Sequence, residues 1–119
     1  ATSLSRRDRI EAKLVGLHWW RPAALGERLE KLLGAARAKE LEPEKAKLIL
    51  EAEFSYEGLS DEKLAAEING LITGWHEEKR KENLQELAAR LAAAERAGDT
   101  ASAEKYIREI KNIYDQKKA

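Results

Sequence analysis

Cysteine and methionine are both absent from this chain. Without Cys there is no disulfide framework, no thiolate metal site and no nucleophilic thiol, and nothing in that absence conflicts with a reducing cytosol. Proline occurs only at Pro22 and Pro43, and β-branched residues never cluster, so strands have little to build from. Charge of one sign is not in excess either. The 22 Lys and Arg balance 22 Asp and Glu, whereas a chain that grips nucleic acid through its phosphates shows a basic excess or a basic face. No apolar run reaches membrane-spanning length and no signal peptide opens the chain, so the expectation is a cytoplasmic protein with no membrane or nucleic-acid partner. The start at Ala1-Thr2, with no initiator Met, reads as processing or as a fragment of something longer.

What is present points to helix throughout. Ser5 can cap a first helix with Asp8 at its third position, and Ile10, Leu14 and Leu17 give that helix a buried stripe ending at Trp20-Arg21. Pro22 suits the first turn of a second helix with the stripe Leu25, Leu29, Leu32 or Leu33, and Ala36. Gly26 and Gly34 weaken that helix by up to about 1 kcal/mol each. Pro43 opens a third helix carrying Ala46, Ile49 or Leu50, and Phe54, closed by Gly58. Ser60 then caps a fourth, with Asp61 and Glu62 in its positive first turn and the stripe Leu64, Ile68, Leu71, Ile72, Trp75.

Residues His76 to Asn83 have no apolar member but also no Gly or Pro. A loop is one reading; the run of strong helix formers favours a helix that is polar all round, continuous with what precedes and follows it. Glu77 and Lys81 stand at an attractive i,i+4 spacing and Glu78 and Glu82 at a repulsive one. Beyond it, the stripe Leu84, Leu87, Leu91, Ala94 meets a second stripe, Ala103, Ile107, Ile110, Tyr114, across Gly98-Asp99. Folded back there, the two form an antiparallel helical hairpin, with Gly98 stopping one arm and Asp99 or Thr100 capping the other. The expected fold is therefore all-α: a small helical bundle over 4–75, and over 76–118 a long bridging helix leading into a C-terminal antiparallel helical hairpin.

Catalytic constellations are missing. His76-Glu77 begins like a zinc-binding HExxH helix, but Arg80 stands where the second His belongs. His18, beside Trp19 and Trp20, reads as a packing residue or a helix C-cap. The Trp pair itself is either core or a surface anchor for a partner. No Gly-rich phosphate loop and no nucleophile-base pair is present, so no catalytic residue, metal, cofactor or small-molecule ligand is expected.

The run LILEAEFSYEGLSDEKLAAEINGL, Leu48 to Leu71, has an aromatic-Glu-Gly stop before a capped helix. The run KENLQELAARLAAAERAGDTASAEKYIREIKNIYDQKK, Lys81 to Lys118, has a Leu-rich arm, an Ala-Gly-Asp turn and a second arm of similar length. Together with RRDRIEAKLVGLHWWRPAAL, Arg6 to Leu25, they resemble the C-terminal, helicase-interacting domain of bacterial DNA primase. That resemblance implies a non-catalytic adaptor that tethers primase to the N-terminal region of the hexameric replicative helicase, with the closing hairpin making the contact. The polymerase core and zinc-binding module of that family have no counterpart here. On this reading Tyr106, Ile113 and the outer edge of Tyr114 anchor the helicase, and Lys117 and Lys118 at the rim speed association. The alternative is a structural or engineered helical bundle with no such role; the Gly residues inside helical patterns, the Asn69-Gly70 pair and the Trp doublet argue against design.

Overall fold

Ser5 starts the first helix by a reciprocal cap: its hydroxyl accepts the Asp8 N–H at 3.0 Å, and the Asp8 carboxylate accepts the Ser5 N–H at 3.3 Å. From there a computed structural model describes residues 5–118, with side chains as far as Gln116. Among the described residues seven α-helices follow one another and no strand occurs. They are α1 (Arg6–Trp20), α2 (Pro22–Leu25), α3 (Arg28–Leu33), α4 (Ala35–Leu41), α5 (Lys45–Tyr56), α6 (Asp61–Ala97) and α7 (Thr100–Lys118), with one 3-10 turn at Glu42–Glu44. The fold is all-α. The chain divides into two compact units, Ala1–Trp75 and His76–Ala119, and α6 runs through the division as one helix. Its polar middle stays helical because Glu, Lys and Arg propagate a helix without help from packing. Lys81 pairs there with Glu78 at 3.5 Å.

In the first unit α1 is the hub. Leu14, Val15 and Leu17 are fully buried, and side chains at neighbouring helix positions point about 100° apart, so α1 is enclosed on more than one face. It packs on α2, α3, α4 and most extensively on α5. The α5 crossing is close: a Cβ added at Gly16 would stand 2.7 Å from the Leu48 carbonyl oxygen. Leu64 and Ile68 from α6 complete the core, with Trp19 and Trp20 packed half-buried against it. Cations cover both indoles, Lys45 over Trp19 and Arg21 over Trp20.

Among the described residues one charged side chain is buried. Glu11 is 4% exposed. Its carboxylate accepts from Arg37 Nε at 2.8 Å, Arg7 Nη1 at 3.0 Å and the Trp75 indole N–H at 2.8 Å, so α1, α4 and α6 are tied at one carboxylate. Arg37 also reaches Glu40 at 2.8 Å and Asp8 at 3.3 Å. Burial alone would lower the Arg37 pKa, but the bonds to Glu40 and Glu11 outweigh it and the net shift is upward.

Two expectations need correction. The second helix is not merely weakened at its glycines but broken into α2, α3 and α4: Gly26 and Gly34 take φ of 55° and 78°, which an L side chain rarely adopts. The stripe Leu25, Leu29, Leu32 and Leu33 runs on across Gly26, buried or half-buried, and changes phase only after Gly34, so Ala36 is exposed while Leu41 is buried. The third helix also presents a different face. Leu48 and Ala52 are its buried residues and Ile49 is half-buried, while Ala46 is exposed and Leu50 and Phe54 are 66% and 89% exposed. Packing against α1 selects the small Ala52 and the Leu48 backbone at Gly16, where Phe54 would not fit.

The close crossing gives a test. Gly16→Ala should lower the stability of the first unit by roughly 1–3 kcal/mol, as overpacking against fixed backbone does. Gly70→Ala, with nothing within 4 Å of the new methyl, should raise it by about 0.5–1 kcal/mol. Urea melts of both variants check this; a Gly16→Ala midpoint at or above that of the parent chain would refute the crossing.

Candidate protein-interaction surface

The second unit is built on its turn. Ala97 ends α6, and Gly98 follows with φ of 72°. The Gly98 N–H donates to the Glu95 carbonyl at 3.1 Å and the Asp99 N–H to the Ala94 carbonyl at 2.9 Å. That pair of bonds is a Schellman closure, which satisfies the last carbonyls of α6 and reverses the chain. Asp99 then caps α7: its Oδ1 accepts the Ser102 N–H at 3.1 Å. That bond holds the Asp99 carboxyl below the usual aspartate range.

On α6 the inward stripe is as the spacing indicates, with Leu87 and Ala94 buried and Leu84 and Leu91 half-buried. On α7 it is not. Ala103 and Ile110 are half-buried as expected, but Ile107 and Tyr114 are 51% and 54% exposed, and Tyr106 and Ile113 are half-buried in their place. The inward set is therefore Ala103, Tyr106, Ile110, Ile113, spaced three, four, three, like Leu84, Leu87, Leu91, Ala94 on α6. Matched spacing lets one register hold along the whole seam: Ala94 by Ala103, Leu91 by Tyr106, Leu87 by Ile110, Leu84 by Ile113. The spacing four, three, four read from the sequence alternates between two registers, and a regular hairpin holds only one. A shallow groove lined by Leu87, Asn83 and Ile113 marks Ile113 as a seam residue.

The consequence is a division of two doublets. Tyr106-Ile107 and Ile113-Tyr114 stand seven residues apart, and each gives one side chain to the seam and one to the outside. Ile107 and Tyr114 share one outward face at i,i+7 spacing, with the exposed Lys111 between them. Of the residues expected to hold a partner, Tyr114 is on this face and Tyr106 and Ile113 border it from the seam. The side chains of Lys117 and Lys118 lie outside the described residues. Ile107, which spacing alone assigns to the seam, is the addition; its signal is the seven-residue spacing to Tyr114.

Elsewhere the candidates are sparse. His18 is half-buried and its Nδ1 is buried with no hydrogen-bond partner, the position of a packing residue. His76 is exposed. Among the described residues no three His, Asp or Glu side chains converge as metal ligands, and no helix is long and apolar enough to cross a membrane. Comparison with protein-family models, with curated proteins and with solved structures returns no match to this chain.

The cap makes a pH prediction. Asp99 is depressed in the folded chain, so its contribution is full above the ordinary aspartate range and is lost as pH falls through the lowered value. The Ser102 amide should lose protection from exchange on that descent, and Asp99→Asn, which keeps an acceptor, should abolish the acid step. Reading the Ser102 amide separates this from Asp8, which is lowered by its own bond to Ser5 in the other unit. An acid step that survives in Asp99→Asn would show that another group controls the turn.

Proposed function

We propose that this chain is a non-catalytic protein-interaction module that tethers a DNA primase to the hexameric replicative helicase during DNA replication in the cytoplasm. The observation that carries the proposal is the outward face of α7, where Ile107 and Tyr114 stand half in water on one side of a helix. Apolar anchors at i and i+7 on an exposed helix are what a hydrophobic groove on another protein recognises. Tyr serves such contacts well, because its ring adds apolar area while its hydroxyl stays wet. The identity of the groove's owner rests on the likeness of the three sequence runs to the helicase-interacting domain of bacterial primase. The balanced charge of the chain fits a protein partner better than a nucleic acid.

Size-exclusion chromatography with purified replicative helicase should give a complex at micromolar concentration. Ile107→Ala with Tyr114→Ala should weaken it by at least about 2 kcal/mol, the scale of interface hot spots, and leave the melting of the hairpin nearly unchanged. Tyr106→Ala with Ile113→Ala should instead loosen the hairpin, since both side chains pack in the seam. The absence of a complex with any replicative helicase tried would favour a purely structural bundle. Binding that persists in the Ile107/Tyr114 variant would move the contact off this face.

A further inference from the structure

His76, Lys79, Arg80 and Asn83 recur at steps of three and four along the polar stretch of α6, so they share one side of that helix. The returning arm brings Ile113 and Gln116 of α7 against them, and together they line a groove of about 280 Å³. Every polar side chain of that wall carries an N–H donor, and no carboxylate lines it. The adjoining groove is of a different kind. Glu86 and Glu109 line that one, and its cation, Arg90, already pairs with Glu86.

The two cations of the donor-lined groove have no partner. Among the described residues neither Lys79 nor Arg80 makes an ion pair or a side-chain hydrogen bond, although Glu82 and Glu77 stand one turn from them. Asp115 also stays outside the wall. Lys79 is exposed, but Arg80 is half-buried. A guanidinium that has given up part of its water without gaining an acceptor is short of hydrogen bonds. Its fork matches two oxygens of a phosphoryl group, Lys79 adds a point charge, and Asn83 and Gln116 add amide donors. The wall holds no aromatic ring, so it gives a nucleobase nothing to stack on.

We infer that this groove, at the open end of the hairpin, binds a phosphoryl group, either as inorganic phosphate or on a small monoester. Most of its donors are exposed, so the binding is weak, on the order of millimolar, and salt weakens it further. It depends neither on the outward face of α7 nor on any helicase.

NMR titration of the nitrogen-labelled chain with sodium phosphate, at an ionic strength held constant with sodium chloride, tests this. Saturating amide shifts should cluster at residues 76–83 and 113–116. Arg80→Gln should weaken the binding by at least about tenfold, because the fork is lost, and Lys79→Gln should weaken it less. Gln116→Glu, at an exposed position, sets a carboxylate in the wall and should weaken the binding while circular dichroism and hairpin melting stay unchanged. Adenosine monophosphate should bind within about twofold of inorganic phosphate, since its base finds no stacking surface. Ile107→Ala with Tyr114→Ala should leave the titration as it was. Shifts no larger than those from sodium chloride alone would overturn the inference. So would shifts spread equally over Arg96 and Arg108, binding indifferent to both Arg80→Gln and Gln116→Glu, or a nucleotide that binds where inorganic phosphate does not.

Discussion

The closure at Gly98 and Asp99 is the constraint on which the functional reading depends. Two hydrogen bonds and one left-handed glycine fix where α6 stops, and the Asp99 carboxylate fixes where α7 starts. Once both ends are set, the register of the seam follows, and with it the side of α7 that meets water. Moving the inward set by one residue would bury Ile107 and Tyr114 and expose Tyr106 and Ile113. The outward face of α7 is thus decided at a turn several helical turns away from much of it. Short arms with one regular seam have few ways to compromise between registers.

In the first unit the corresponding tie is the Glu11 carboxylate. A buried carboxylate is costly in itself, and it is tolerated here because two guanidinium groups and an indole N–H direct donors at it. Truncating it would leave Arg37 and the Trp75 indole without that acceptor, the kind of loss that costs several kcal/mol. The bond to Trp75 matters most for the layout, because it joins the opening helix of the chain to the last residue of the unit. Between these points the core itself is ordinary: Leu14, Leu17, Val15 and Ile68 fill it.

How much of this could be read from the sequence follows from which residues carry unambiguous local signals. Caps did: Ser5 with Asp8, Ser60 with the Lys63 N–H at 3.3 Å, and Gly98-Asp99 all act where their chemistry places them. The all-α class, the continuous helix through the polar stretch and the α6 stripe were legible for the same reason, since propensity and spacing agree there. Helix faces were less so. On α5 both Leu48-Ala52 and Leu50-Phe54 have i,i+4 spacing, and the choice between them is made by the Gly16 crossing, a contact between residues far apart in sequence. On α7 each doublet offers two adjacent apolar residues, and periodicity cannot choose between neighbours. Gly26 and Gly34 looked like weak points within one helix, yet left-handed conformations there divide it. Glu11 gave no signal at all, because a Glu four residues from Arg7 looks like a surface pair until Arg37 and Trp75 are brought to it.

The surface proposed to meet a partner is the helix face carrying Ile107 and Tyr114, with Tyr106 and Ile113 behind it in the seam. The central claim of the proposed function is that this face, and no other part of the hairpin, would be covered by a replicative helicase. Methyl cross-saturation NMR measures that directly: the chain is labelled at its Ile methyl groups and bound to the unlabelled helicase hexamer, which is then irradiated. The account predicts strong attenuation at Ile107, weaker attenuation at Ile110 and Ile113, and almost none at Ile10 and Ile68 in the core of the first unit. Attenuation absent at Ile107, or strongest at Ile49 or another site away from α7, would contradict it.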